Sequence, residues 1–138
     1  PEPFVWRAEA LLGIAQYESS IGNHDSALQY ILQALEEKGN REINLYAASI
    51  LEKMEEEDLT IRRKHLKMAI NFYKKAYSQK KSAFILYQIA TLLRSVDENQ
   101  EAENFFLKVI KKYPNSKYAV YSKKSLERKS KFLPGDAS

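Results

Sequence analysis

The sequence predicts an all-α chain built from about three antiparallel helix pairs and closed by a C-terminal helix. Three observations predict it. Ala27 and Ala34, seven residues apart, recur as Ala69 and Ala76 and again as Ala102 and Val109, each pair in a similar apolar frame. Residues at that spacing share a helix face, and small ones let a neighbouring helix approach closely. The 138 residues include only four Gly and four Pro, too little turn-forming material for a strand-rich fold. Elsewhere apolar residues recur at i, i+3 and i+4, the period of a helix with one buried side. A chain of this length builds one domain with a real core.

The elements follow in order. The first helix is predicted from Phe4 to Ser20, with Val5, Ala8, Leu11, Leu12 and Ala15 as its stripe. Gly22-Asn23 breaks it, and Asn23 or Asp25 is expected to cap the next helix. That second helix runs from about Asp25 to Lys38, with Ala27, Leu28, Ile31, Leu32, Ala34 and Leu35 inward. Gly39-Asn40 ends it, and a third helix follows from about Arg41 to Glu55. The fourth runs from about Thr60 to Ser78, with Leu66, Ala69, Ile70, Tyr73, Ala76 and Tyr77 on its stripe. Ser82 is placed to cap a fifth helix ending near Ser95. Asp97-Glu98-Asn99-Gln100 reads as a capping box that opens a sixth. Pro114 stops that helix, Ser116 caps a seventh reaching about Phe132, and residues 133–138 read as a flexible tail.

This pattern resembles the tetratricopeptide repeat, which stacks helix pairs with a period of about 34 residues. With Ala27, Ala69 and Ala102 opening each second helix, the first repeat is residues 8–41, with Gly22 at the family's inter-helix glycine and Ala15 at its small residue. The third is residues 83–115, where Leu86, Ile89, Ala90, Phe106 and Pro114 fall at family positions. The middle repeat, residues 42–82, is irregular: Ala27 to Ala69 spans 42 residues, against 33 from Ala69 to Ala102. About eight extra residues therefore lie near residues 55–64, as a longer loop or as two added helical turns. Their opposite charges, Glu55–Asp58 then Arg62–Lys64, are expected to pair at i, i+4. Residues 116–132 are the expected capping helix of a domain covering residues 1–132.

One segment carries a narrower resemblance. Tyr113-Pro114-Asn115-Ser116-Lys117-Tyr118-Ala119 is similar to the turn joining consecutive repeats in bacterial envelope proteins. The TolA-binding periplasmic coordinator and the lipoprotein of the outer-membrane barrel-assembly machine carry such turns. The resemblance favours the bacterial periplasm or cell envelope over the cytoplasm, although unrelated cytoplasmic repeats carry the same motif, so the compartment stays open. The chain begins with Pro rather than Met and reads as an excised or processed form, so a missing targeting segment carries no weight.

Catalytic chemistry finds no foothold. The four glycines, Gly13, Gly22, Gly39 and Gly135, are scattered and form no phosphate loop. His24 and His65 stand apart from any second His at metal spacing, and there is no Cys. The Glu55–Asp58 run lacks the alternating ligands and the glycine of a calcium loop. The expectation is a non-enzymatic chain that needs no cofactor and no metal. No apolar run approaches the ~18 residues of a membrane span.

Two surfaces are expected to bind. The family's groove positions, carried over by the resemblance, are Leu12, Gln16 and Ser19 in the first repeat. In the second they are Ile43, Tyr46, Ile50 and Lys53, and in the third Phe84, Tyr87, Thr91 and Arg94. This mix of aromatics, aliphatics and cations suits another protein, as an extended or helical peptide with an acidic group. Tyr87 and Arg94 are expected to face this groove, so that replacing them costs little stability. The second surface is the terminal helix. The net charge of +4 hides an asymmetry, because residues 108–138 carry 9 Lys/Arg and 2 Asp/Glu, a net of +7. Lys117, Lys123, Lys124, Arg128, Lys129 and Lys131 lie on that helix with Tyr118, Tyr121, Leu126 and Phe132 between them. The leading expectation is a protein-interaction scaffold working through the concave face or the ends of the stack. The alternative is a basic helical module for nucleic acid or an anionic surface. Nucleic acid is the less favoured partner, because the aromatics fit helix-core spacing.

Overall fold

The computed structural model describes residues 3–131, and the side chains of residues 7–128. The expectations for the side chains of Val5, Lys129 and Lys131, for Phe132 and for the tail at 133–138 lie outside what is described. Among those residues the chain forms seven helices and no strand: α1 (Pro3–Ser20), α2 (His24–Glu37), α3 (Arg41–Lys53), α4 (Leu59–Gln79), α5 (Ala83–Ser95), α6 (Asn99–Lys112) and α7 (Lys117–Lys131). The helix-pair fold expected from the repeat is the fold observed. The chain divides into two compact units, Pro1–Lys80 and Lys81–Ser138.

In the first unit α1 packs on α2, α3 on α4, and α2 on α3. Gly22 makes the first reversal at φ +86, a left-handed backbone conformation that strains residues with a side chain even where there is space for one. Asn23 N–H donates to the Glu18 carbonyl at 2.8 Å and Gly22 N–H to the Ser19 carbonyl at 3.1 Å. That pair of bonds is a Schellman closure of α1. The expected side-chain cap on α2 is absent. Asn23 is the N-cap residue, but its amide donates to Glu18 Oε2 at 2.9 Å, because the closing turn runs straight into the next helix.

The small residues do what their spacing implies. Ala27, Ala34, Ala69 and Ala76 are all fully buried, alongside Ile31. Close helix approach there leaves no room for a longer side chain. Ala76→Leu is expected to cost about 1–3 kcal/mol by overpacking, measured as a lower urea midpoint with the helical circular dichroism retained.

The extra residues of the middle pair resolve mostly into helix. α4 has 21 residues where α2 and α6 have 14 each, a difference of two turns. Asp58 caps it, accepting from Thr60 N–H at 2.9 Å and Ile61 N–H at 3.3 Å. The i, i+4 pairing expected of Arg62 is replaced by something else. Its guanidinium reaches back to the end of α3 and donates to the carbonyls of Met54 (2.8 Å), Glu52 (3.0 Å) and Leu51 (3.2 Å). A cation at a helix C-terminus meets unpaired carbonyls and the negative end of the dipole, so Arg62 closes α3. The buried stripe of α4 begins only at Leu66; Leu59 in the added turns is 82% exposed.

Two polar side chains stitch α4 to the α2–α3 turn. Buried Asn44 donates to the Asn40 carbonyl at 3.0 Å and to Gln79 Oε1 at 3.2 Å. Gln79 in turn donates to the Gly39 carbonyl at 2.7 Å. The buried Tyr73 hydroxyl donates to the Glu52 carboxylate.

In the second unit α5, α6 and α7 pack on one another. Ser82 caps α5 through Ile85 N–H, as expected. The N-cap of α6 is Glu98 rather than Asp97, and Glu98 makes no side-chain cap bond. Asp97 instead adopts φ +64, with Asp97 N–H on Arg94 O at 3.1 Å and Glu98 N–H on Leu93 O at 2.9 Å. This is the same closure as at Gly22, made with an Asp. Its short side chain tolerates the left-handed conformation better than a branched one. Beyond α6, Ser116 accepts Ala119 N–H at 3.2 Å and donates to the Tyr113 carbonyl at 2.8 Å, which fixes the turn into α7. Ala119 and Ser122 are buried at the contact, so small residues again set the helix approach.

Candidate binding face of α5 and α7

Phe84, Tyr87, Thr91 and Arg94 fall at i, i+3, i+7 and i+10 on α5, one side of the helix. α7 brings Tyr118 and Tyr121 against that side. Tyr87 stands at the centre, with ring centroids 5.6 Å from Tyr118, 5.8 Å from Tyr121 and 5.9 Å from Phe106. Phe84 meets Tyr118 edge-on at 5.6 Å, and Tyr118 meets Tyr121 at 5.9 Å. Tilted and edge-on contacts at these separations are the favourable aromatic geometries. Fully buried Phe106 of α6 forms the floor of the cluster, and Phe84 and Tyr121, each 41% exposed, form its open rim.

Cations border the rings. The Lys117 ammonium lies 5.3 Å from the Tyr118 centroid. Lys117, Tyr121, Lys124 and Arg128 follow at i, i+4, i+7 and i+11 along α7, and all four are exposed. They make a basic stripe with an aromatic in it. Arg94 behaves differently. Its guanidinium lies over Phe106 at 4.8 Å and donates to the Ser125 carbonyl at 3.0 Å. It pins α5 to α7 through that bond, while its Nη2 is buried without a hydrogen-bond partner. Tyr87 is likewise half-buried among three rings, so both residues carry packing that the groove expectation did not include. Thr91 is half-buried, its hydroxyl donating to the Gln88 carbonyl at 2.9 Å.

The groove positions of the first unit fare unevenly. Ile50 and Ile43 are each 1% exposed and Leu12 is 8% exposed, so they are core residues and offer no surface. They stand at the edge of the groove positions that turns into the helix contact, so burial takes them while their neighbours one turn away reach the surface. Tyr46 is half-buried, and Gln16 and Lys53 are exposed. Ser19 bonds His24 Nδ1 at 3.2 Å. Lys53 borders a cleft of ≈ 360 Å³ with Gly22, His24, Asp25, Met54 and Glu55. Among the described residues no group of three or more His, Asp or Glu is placed to hold a metal ion. No helix among them is long and apolar enough to cross a membrane.

Residues 8–41, the α1/α2 pair, match the family model of the tetratricopeptide repeat. Tetratricopeptide repeats mediate protein–protein interaction. A comparison with the curated proteins finds no match.

Proposed function

We propose that the chain is a non-enzymatic protein-interaction scaffold that binds a helical or extended segment with an acidic group, and that α5 and α7 supply the contact. The observation that carries this is the aromatic cluster open at Phe84 and Tyr121 beside the exposed Lys117, Lys124 and Arg128. Rigid aromatic surface supplies contact area at low entropy cost, and bordering cations select the sign of the partner's charge. Tyr46 and Lys53 remain candidates for a second contact in the first unit. The Tyr113–Pro114 turn supports a place in a bacterial envelope assembly, which fractionation of the tagged chain in its source cell would test.

The exposed rim separates binding from folding. Phe84→Ala with Tyr121→Ala is expected to weaken an acidic amphipathic peptide, followed by fluorescence anisotropy, at least about tenfold. The double variant gives up ring contacts with Tyr118 and Tyr87 but should keep its helical circular dichroism. The same loss of affinity in Tyr121→Lys, which keeps an exposed side chain there, would separate lost binding from lost packing. Unchanged peptide affinity in the double variant would remove this face from the reading. Tighter binding of a labelled RNA than of any peptide would favour the nucleic-acid alternative.

A further inference from the structure

α4 carries charge of one sign only. Its 21 residues, Leu59–Gln79, hold six Lys or Arg and no Asp or Glu. Lys64, Lys67, Met68, Asn71 and Lys75 stand at i, i+3, i+4, i+7 and i+11, one side of the helix, and all five are exposed. Ile61 continues the row one turn earlier. Ile61 is 40% and Met68 38% exposed, so apolar side chains protrude within a row of ammonium groups.

The repeat indicates that helix packing does not cover this side. With Ala27 aligned on Ala69, Lys67, Met68, Asn71 and Lys75 correspond to Asp25, Ser26, Gln29 and Gln33 of α2. α2 packs on both α1 and α3, yet those four residues are all exposed. The side therefore points away from the helices before and after it in the chain. On α6 the same positions hold Gln100, Glu101, Asn104 and Lys108, of mixed sign. Of the three second helices, only α4 makes this side purely cationic and adds apolar side chains to it.

Charge and shape identify what fits. The cations call for an anionic partner. The acids nearest in sequence, Glu55–Asp58, precede the helix, and Lys67 lies about 13 Å beyond Asp58 along the axis, more than a screening length in physiological salt. The outer side of a single helix is convex and has no groove to take a peptide. A nucleic acid would meet the charges but would leave Ile61 and Met68 against phosphates. Phe72, half-buried with the Lys75 ammonium 5.5 Å from its centroid, offers no open ring for a base to stack on. A bilayer of anionic phospholipid satisfies both kinds of side chain. Headgroup phosphates take the cations, and the acyl boundary just beneath takes the apolar groups.

We propose that this side of α4 rests on an anionic phospholipid surface, with Lys64, Lys67 and Lys75 among the headgroups and Ile61 and Met68 in the acyl boundary. The contact is peripheral and reversible. It goes beyond the reading of the α5–α7 face and does not depend on it.

Co-sedimentation of the full chain with vesicles of phosphatidylglycerol and phosphatidylcholine tests it. Binding is expected to the mixed vesicles and not to phosphatidylcholine alone, and at least about tenfold weaker when salt rises from about 0.05 to 0.5 M. Lys67→Glu/Lys75→Glu should bind at least about tenfold more weakly, with helical circular dichroism intact. Lys108→Glu/Lys111→Glu makes the same change of charge on α6 and should cost less than about threefold. Met68→Gln, which leaves the charge alone, should cost about threefold. No binding to the mixed vesicles at low salt overturns the proposal, and so does an equal loss in the α6 pair, which would report net charge without a docking side. An unchanged affinity in Met68→Gln removes the apolar contact and with it the choice of lipid. Tighter binding of a labelled single-stranded RNA than of vesicles, lost in the α4 pair, would assign the side to nucleic acid instead. The α4 pair should still bind the acidic peptide at the Phe84–Tyr121 rim, so the two readings fail separately.

Discussion

Phe106→Ala is expected to remove about 3–5 kcal/mol of folding stability, the largest loss from any single truncation considered for this protein. Phe106 is fully buried and is the largest of the fully buried side chains among the described residues. It lies 5.9 Å from the Tyr87 ring and 4.8 Å beneath the Arg94 guanidinium. Truncation therefore opens a cavity and also takes the ring from under a cation. Urea unfolding followed by circular dichroism checks the magnitude. Phe106→Leu, which keeps much of the volume, should lose less than half as much. A loss under about 1 kcal/mol for Phe106→Ala would mean that α5 and α7 collapse into the space, and the floor of the aromatic cluster would then be no constraint on its rim.

Arg62→Ala is expected to cost about 2–3 kcal/mol, although its side chain is only half-buried. Three charge-assisted hydrogen bonds to the final carbonyls of α3 are lost together. Water replaces part of them, which holds the figure well below three times the value of a single bond. Arg62→Lys should recover less than half, because one ammonium cannot span three carbonyls as the planar guanidinium does. Lys64→Ala, an exposed neighbour, should stay within about 0.5 kcal/mol. Amide hydrogen exchange locates the effect: the last turn of α3 should open in Arg62→Ala and remain protected in Lys64→Ala. Equal exchange there in both variants would mean that the loop at residues 54–58 holds α3 without the guanidinium.

The helices were legible because their signal is local. Apolar spacing, a glycine after Ile21 and a proline after Tyr113 act over a single turn, and the observed helix ends lie within about two residues of the expected ones. Ala27, Ala34, Ala69 and Ala76 were readable as close-packing positions for the same reason: a small side chain at helical spacing has one efficient use. The capping box at residues 97–100 misled because the same residue types also serve a left-handed turn. Asp97 occupies the position that Gly22 holds in the first pair, and a polar side chain hides that likeness from composition.

What the sequence by itself determined is the set of helices, their pairing through short turns, and the charge difference between the two ends. What only the tertiary structure decided is which side of each helix meets which neighbour. Ile50 and Tyr87 carry the same apolar and aromatic signal whether they line a surface or a core, and the packing made one core and the other the centre of a ring cluster. Arg62 could have paired along its own helix; it serves α3 because the loop returns it to unsatisfied carbonyls. Asn44 and Gln79, 35 residues apart, meet only because α4 folds back along α3. The physical reason is range: hydrophobic period and backbone conformation are set by neighbours in the chain. Burial, hydrogen-bond partner and exposed stripe depend on residues tens of positions away.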